Sequence, residues 1–488
     1  MKKGVLGLVN HSTISLRPYL LPLCVLLALC AAPFLPGYMI LAFFVCAIEL
    51  LLMVILPPER GLHVLLSALM FDGMIKVLSG FHPVVHVWQD VLMISLFLRM
   101  RMAGFSSAPG WPLFVILGAW VFIQVFNPFS LGPLPSLAGA KVYLSMALLY
   151  FVAWRLLDPD SARRTIGWLV LLGLLQACVA IIEDHWFQGE LGRHVPLYLK
   201  LSKGGFLDDL FRPSGTTSGP GGPSIWMYLT MPLACFVISE RRYTLPFRVA
   251  GAALLGLGTV TLFLCQTRLS MVLAFSTCGF FFLNPRVSLT TFSRRTVVAA
   301  LVASFAFLAF VSWDRGTWVH LAAPWVGGEE RASYLFERSS TVASVDKMGA
   351  WRLGAWGQMA ILGDRTLTGI GLSRVGSAAG PWREQIRKDR EFGPRWSFAD
   401  NAYRMVFTEL GLPGLVVWGL LLLSLALAIF SNGILRALPI DRAALCWLGF
   451  SAPLIWTFLG GLATEGMLFA PNSSLVWLML GIGMRASR

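Results

Sequence analysis

Apolar runs of roughly 17–25 residues, the length a helix needs to cross a bilayer, recur along almost the whole chain. They mark spans near 18–35, 38–56, 61–79, 85–100, 111–127, 139–156 and 164–183 in the first half. Further spans follow near 222–240, 247–265, 269–284, 296–313, 403–430, 442–460 and 469–485. The count is about 14, within an expected range of 12–14, because several runs are short or polar enough to be half-spans or to lie tilted. The predicted fold class is therefore all-α, a polytopic integral membrane protein built as a single membrane domain over 1–488. Polar sequence interrupts this pattern at length only at 184–222 and 314–402, which read as a first and a long non-cytoplasmic loop. The segment Trp313–Leu415 holds about a third of the chain's lysines and arginines.

Composition agrees with the pattern. Hydrophobic residues make up 56% of the chain, charged residues 13%, and the mean hydropathy is +0.70, whereas soluble domains carry roughly 25% charged residues. Thirty-nine basic against 25 acidic residues give a net charge of +14, which in a soluble protein would suggest nucleic acid. Here the basic residues gather in alternate short loops: Lys2, Lys3 and Arg17, then Arg60, Arg99 and Arg101, then Arg155, Arg163 and Arg164. The series continues through Arg241, Arg242 and Arg248, Arg286, Arg294 and Arg295, Arg436 and Arg442, to Arg485 and Arg488. This positive-inside bias sets both termini in the cytoplasm and removes the nucleic-acid reading. The first span looks like a signal peptide, but its distance from the start and the even span count favour a retained anchor. All eight cysteines lie in apolar runs with no CxxC, so they read as packing residues.

Familiar catalytic patterns such as HExxH, Walker A and GxSxG do not occur. The run RPSGTTSGPGGP lacks the lysine and preceding strand of a phosphate loop. Asp158-Pro159-Asp160 spells a DxD, but in so short a loop a turn is the better account. His82, His86 and Asp90 are spaced for a metal face, and a polar stripe between helices explains them more simply. Asp72 and Lys76, four apart, are expected to pair, while Glu49 and Glu465 are polar groups near membrane depth without an assignment. Around Trp382–Phe392, Trp382, Ile386 and Phe392 share a face, as in a helix lying at headgroup level.

A set of arginines remains. Arg212 precedes the span at 222, Arg268 sits in the tip between two apolar spans, and Arg352 lies in the long loop that Asp400 and Asn401 close. An arginine in such a tip is costly unless something anionic meets it, and its planar fork suits a diphosphate. Snorkelling to the bilayer surface is the simpler alternative for any one of them.

The order of these features resembles the O-antigen ligase and polymerase superfamily, the Wzy/WaaL-like membrane glycosyltransferases. The resemblance covers roughly Gln176 to Gly414. RPSGTTSGPGGPSIWMYLTMPLA is similar to the family's arginine–glycine stretch, and QTRLSMVLAF to its "SR" turn, with Thr267 for serine. WRLGAWGQMAILGDRTLTGIGLSRVG resembles its Pro-Leu-x-Gly-x-Gly run, with Thr366-Leu367 for Pro-Leu. DNAYRMVFTELGLPG resembles the closing motif, including its Glu409-to-Gly414 ending. An Arg-x10-Gly spacing at Arg352–Gly363 and Arg365–Gly376 arises easily by chance in a glycine-rich chain.

The resemblance implies an inverting transfer, without metal or other cofactor, from an undecaprenyl-diphosphate-linked sugar to a sugar hydroxyl. Arg212 and Arg268 are then catalytic candidates for stabilising the leaving diphosphate, with Arg352, Asn401 and Glu409 as substrate-binding candidates. Ligases of the superfamily usually have His-Asn where this chain has Asp400-Asn401, and this departure leans towards a polymerase. Asp400 is either the base for the attacking hydroxyl or a cap on the following helix, and both readings stand. Implied partners are the lipid-linked oligosaccharide, membrane lipids, a chain-length regulator and a flippase. The expected function is a Wzy-type polysaccharide polymerase of the bacterial inner membrane, acting at its periplasmic face in exopolysaccharide or O-antigen synthesis. The alternatives are an O-antigen or protein O-oligosaccharide ligase and, outside enzymes, a lipid-linked oligosaccharide flippase.

Overall fold

A computed structural model describes Ile14 and residues 17–29, 38–80, 82–102, 108–187, 212–217, 221–265, 267–282, 365–375, 382–388, 401–434, 438–461, 468–469 and 471–488, together with His320, Glu329 and Ser333. The expected span at 296–313, Arg352, Asp400, Glu465 and most of the two polar loops lie outside the described residues. What is described is helical, with one isolated β-bridge between Ile14 and Tyr243.

The first helices are α1 (Arg17–Leu29), α2 (Tyr38–Ile55), α3 (Pro58–Leu78), α4 (Pro83–His86), α5 (Trp88–Met102) and α6 (Trp111–Val125). Then come α7 (Pro133–Leu144), α8 (Leu148–Leu156), α9 (Pro159–Ile182), α10 (Pro223–Ser239), α11 (Leu245–Cys265) and α12 (Arg268–Phe282). The last are α13 (Arg383–Lys388), α14 (Ala402–Ile429), α15 (Ile440–Ile455) and α16 (Asn472–Ala486). Single π-turns at Glu183–Phe187, Phe430–Ile434 and Trp456–Gly460 extend α9, α14 and α15. Among the described residues six helical stretches, one of them α7 and α8 together, are long and apolar enough to cross a bilayer, and four shorter apolar helices accompany them. These are the helices of a membrane-embedded protein.

Local chemistry places the ends. Asp158 accepts the N–H groups of Asp160 and Ser161 and is followed by Pro159 in the first turn, so α9 starts there. Asn401 accepts the N–H of Arg404 and starts α14. Two expected spans are broken: the run at 85–100 is interrupted at Val87, and the run at 139–156 begins at Pro133 and breaks at residues 145–147.

α10 is the middle of the bundle. It is buried along nearly its whole length and packs on α9, α11, α12 and α15, as a helix apolar on all sides should. Elsewhere small residues let backbones meet, the usual means of helix association in lipid. A Cβ on Gly449 of α15 would come within 2.4 Å of Gly483 Cα on α16, and one on Gly481 would meet the Tyr150 carbonyl of α8 at 2.6 Å. Trp447 of α15 donates to the Phe280 carbonyl of α12. The π-turn that ends α15 therefore stands level with the start of α12.

Candidate functional site

Two short segments dock at the end of the bundle where α9 and α11 finish and α10, α12 and α14 begin. The first is the loop 212–217. Glu183, only 2% exposed in the π-turn after α9, accepts the backbone N–H groups of Ser214 at 3.0 Å and Gly215 at 2.5 Å. A carboxylate at such depth needs donors of this kind in place of the water it has lost. Thr216 reaches further in. Its hydroxyl lies 2.6 Å from Gln176 Oε1 of α9 and 2.7 Å from the Met70 carbonyl of α3, and its own carbonyl accepts the N–H of Met74. Thr216 thus engages the two groups that one turn of α3 would join. Gly215 has φ +55, and a Cβ there would meet Gln176 Nε2 at 2.6 Å. On the other side the N–H of Gly221 donates to the Pro213 carbonyl, and Gly221 lies against Cys265 and Thr267. The loop is so held beside the turn at which α12 begins with Arg268.

The second segment is the turn 365–375. It is seated on α14 where that helix is broken: Gly411 has φ 69 and Pro413 follows. Ile370 N–H donates to the Thr408 carbonyl, and Asn127 Nδ2 reaches the Thr368 carbonyl at 3.2 Å. Gly369 and Gly371 have φ 67 and 88, and a Cβ on Gly369 would meet the Glu409 carbonyl at 2.6 Å. Ser373, also at positive φ, donates to the Pro135 carbonyl at 2.6 Å, while Gly139 of α7 leaves room for it. Fully buried Glu409 accepts the Val375 N–H at 3.1 Å and the Tyr143 hydroxyl at 2.7 Å. Arg374 and Arg404 are buried beside this turn and the first turn of α14, and Arg365 lies 4.0 Å over the Phe129 ring.

The segments share one end of the bundle. Tyr403, in the first turn of α14, donates to the Thr457 carbonyl in the π-turn after α15 and touches Gly461. That π-turn packs on α12, which Arg268 begins. Below Tyr403 an apolar cavity of about 250 Å³ opens between α14 and α15, lined by Trp418, Leu422, Pro453, Thr457 and Phe458.

Of the residues singled out from sequence, Arg212 is half-buried at the start of the first loop, and the backbone of Arg268 starts α12 at the expected tip. The Arg268 side chain, Arg352 and Asp400 lie outside the described residues. The cap on α14 is Asn401, not Asp400. Glu409 has both carboxylate oxygens engaged by protein donors, and these contacts shape the turn 373–375. Sequence reasoning passed over Glu183, Gln176, Thr216, Tyr143, Arg374 and Arg404. The available signal for Glu183 was its place with Asp184 at the polar end of an apolar run.

Other sequence features resolve locally. Asp158 of the DxD is a helix cap, while Asp160 pairs with Arg163 at 2.9 Å and Arg242 at 2.7 Å. Asp72 and Lys76 pair at 2.6 Å as expected. His82 caps α4 and Asp90 pairs with Lys141, so the His82, His86 and Asp90 spacing is not carried on one continuous helix. α13 packs on the protein through Ile386, which is buried, and Gln385 donates to the Leu131 carbonyl. No known family model, curated protein or solved structure compared with the chain matches it.

Proposed function

We propose that the chain is a Wzy-type polysaccharide polymerase with about 14 spans in the bacterial inner membrane and both termini cytoplasmic. It would move glycan from an undecaprenyl-diphosphate-linked donor to a sugar hydroxyl of a second lipid-linked repeat, with inversion and without metal. The observation that supports this reading best is the pairing of the four resembling stretches. The arginine–glycine loop sits against the Arg268 turn, and the Gly-x-Gly run sits in the break of the closing helix, both at one end of the bundle. In this reading Arg212, Arg268 and Arg352 meet the diphosphate, whose charge grows as the bond breaks. Asp400 takes the proton of the attacking hydroxyl, and Asn401 holds the first turn of α14 in place beside it. The apolar cavity under Tyr403 suits the same site, since a lipid-linked donor brings an apolar chain to the place where its headgroup reacts.

The test is transfer by purified protein from a lipid-linked repeat, with and without chelator. Polymer formed by Arg268→Ala and Asp400→Ala at wild-type rates would refute the site, and dependence on a divalent ion would refute the metal-free mechanism. A flippase is the second reading, because charged side chains do occur inside the bundle, on α3, α5 and α7. Their balanced signs do not form the cationic lining that an anionic headgroup needs. Gene loss separates the cases: single capped repeats for a polymerase, accumulated lipid-linked polymer for a ligase, and repeats left on the cytoplasmic leaflet for a flippase.

A further inference from the structure

α14 is too long to be one straight span. With its π-turn it runs for 32 residues to Gly433, roughly 48 Å of helix against about 30 Å of hydrocarbon. The backbone leaves helical geometry at Gly411, and there the chain turns back on itself. Tyr403 and Trp418 would stand roughly 22 Å apart along a straight helix, but their rings meet edge to face at 5.6 Å. A Cβ on Gly414 would fall 2.2 Å from Leu410 Cβ, whereas helical neighbours four apart keep about 5–6 Å between them. Residues 402–410 therefore form a half-helix folded against the long arm 412–429.

The two arms differ in surroundings. The short arm is buried apart from half-buried Tyr403, while the long arm exposes Leu412, Val416, Leu420, Leu423 and Leu427 in one stripe. The short arm thus lies inside the bundle and the long arm faces lipid. Trp418 is seven residues past the break, so Tyr403 lies roughly 10 Å deeper than Gly411. Trp120 of α6 donates to the Leu410 carbonyl at the level of the break. Beyond Trp120, α6 still exposes Phe122, Ile123 and Phe126, so hydrocarbon reaches at least that level. The start of α14, with buried Asn401 and Arg404, stands inside the bilayer.

The fold-back leaves the apolar cavity between the long arm and α15. At its inner end Tyr403, given room by Gly461, donates to the Thr457 carbonyl. On its wall a Cβ added to Gly419 would meet nothing within 4 Å. Leu423 and Phe458, which line it, are 44% and 51% exposed, so the cavity opens sideways to lipid. Its 250 Å³ or so holds roughly ten carbon atoms, scaled from a cavity of about 150 Å³ that takes benzene. That is a single chain of about two isoprene units, and too little for the paired chains of a phospholipid.

We propose that this cavity seats the first isoprene units of a polyprenyl-linked donor, which enters sideways from the bilayer between α14 and α15. A polyprenyl diphosphate carries its charge on the end of one chain, so a chain in the cavity brings that end to the sunken start of α14. A phospholipid carries its headgroup on glycerol at the interface and does not present it at this depth. The identity of the chain rests on the reading of the protein as acting on lipid-linked glycan; the fold-back and the lateral opening do not.

The test is photo-crosslinking of the full-length protein in phospholipid nanodiscs. One probe is farnesyl diphosphate with a diazirine on its second isoprene unit, the other phosphatidylglycerol with a diazirine in one acyl chain. The isoprenyl probe should mark peptides from 418–426 and 453–458 and be displaced by excess undecaprenyl diphosphate, and the phospholipid probe should not mark them. Gly419→Leu fills the cavity without a clash and should cut the labelling about tenfold, since each buried methylene is worth roughly fourfold in affinity. Gly256→Leu on α11, where an added Cβ also meets nothing within 4 Å, should leave it unchanged. Should Gly419→Leu fail to accumulate, Ala426→Phe, two turns along the same wall, carries the same measurement. Equal marking by both probes would mean a gap filled by bulk lipid and overturns the site, as does isoprenyl labelling indifferent to the filled cavity or absent altogether. Crosslinking needs no transfer, so a protein that seats the probe but makes no polymer refutes the polymerase reading alone, and one that makes polymer without seating it refutes this site alone.

Discussion

In the loop 212–217 two backbone N–H groups close on one buried carboxylate, that of Glu183, and a threonine reaches into a neighbouring helix. In the turn 365–375 one N–H closes on Glu409, and the conformation is carried by Gly369, Gly371, Ser373 and the facing Gly411, all at positive φ. Both segments seat a polar backbone against helix ends in an apolar bundle, where each N–H and C=O must find a partner. The first is fastened by side-chain acceptors, the second by backbone shape. Their tolerance to substitution should therefore differ in kind.

Glu183→Leu is the strongest way to break the comparison. It strands the N–H groups of Ser214 and Gly215, at roughly 1–3 kcal/mol for each buried donor. Glu409→Leu strands one N–H and a tyrosine hydroxyl that can rotate towards another acceptor, so it should cost less. Thermal unfolding in detergent ranks the two, and a larger loss at Glu409 would reverse the assignment.

Gly411→Ala comes next. Its φ of 69 and a Cβ that would stand 2.4 Å from the Leu367 carbonyl imply a cost of about 3 kcal/mol, since strain and overpacking act together. Gly215→Ala also meets 2.6 Å, but against the end of the Gln176 side chain and not against backbone, and should lose about 1–2 kcal/mol. Equal shifts in unfolding temperature would show that backbone shape does not distinguish the segments.

Thr216→Val sharpens the other side. It keeps the volume but removes the donor shared by Gln176 and the Met70 carbonyl, at about 1–2 kcal/mol, and Thr216→Ser should recover most of it. A loss at Thr216→Ser as large as at Thr216→Val would show that the methyl group matters as much as the hydroxyl, and an unchanged Thr216→Val would remove the hydrogen bond from the account.

The apolar periodicity made most helices legible, because a span needs only length and hydropathy. Helix ends were less exact: the cap on α14 is Asn401, one residue beyond the Asp400 that the sequence offered, and α9 starts at Pro159, five residues before the apolar run. What stayed hidden depends on pairing between distant segments. Nothing near Glu409 in the chain shows that Tyr143 and Val375 will meet it, and Lys141 and Asp90 lie 51 residues apart. The breaks at Val87 and at 145–147 were hidden for the same reason, since the runs stay apolar through them while tertiary contacts decide the backbone. The two docked segments were marked by their glycines and arginines, but that each is bound to a buried glutamate was not visible.

Asp158 offers the smallest effect and a contrast with both segments. It is an exposed cap at the opposite end of α9 from Glu183, accepting N–H groups just as Glu183 does but in contact with solvent. Partial burial works against its charge, yet the N–H groups of Ser161 and Asp160 and the nearby Arg164 prevail and hold its carboxyl below the ordinary carboxylate range. A depressed value means that the ionised cap stabilises the fold at any pH above the ordinary range, and that this contribution fades as pH falls through the lowered value. Asp158→Ala should cost at most about 1 kcal/mol, towards the lower end because solvent screens the site. The difference from wild type should be constant near neutral pH and shrink in acid. Asp158→Asn, which still accepts hydrogen bonds but carries no charge, should lose less than alanine; its gap from wild type should also shrink in acid, while the gap between asparagine and alanine should not change with pH. A pH-independent gap between wild type and Asp158→Ala would mean that the cap acts through its geometry alone, which would place it closer in kind to the glycine-built turn than to the carboxylate-built loop.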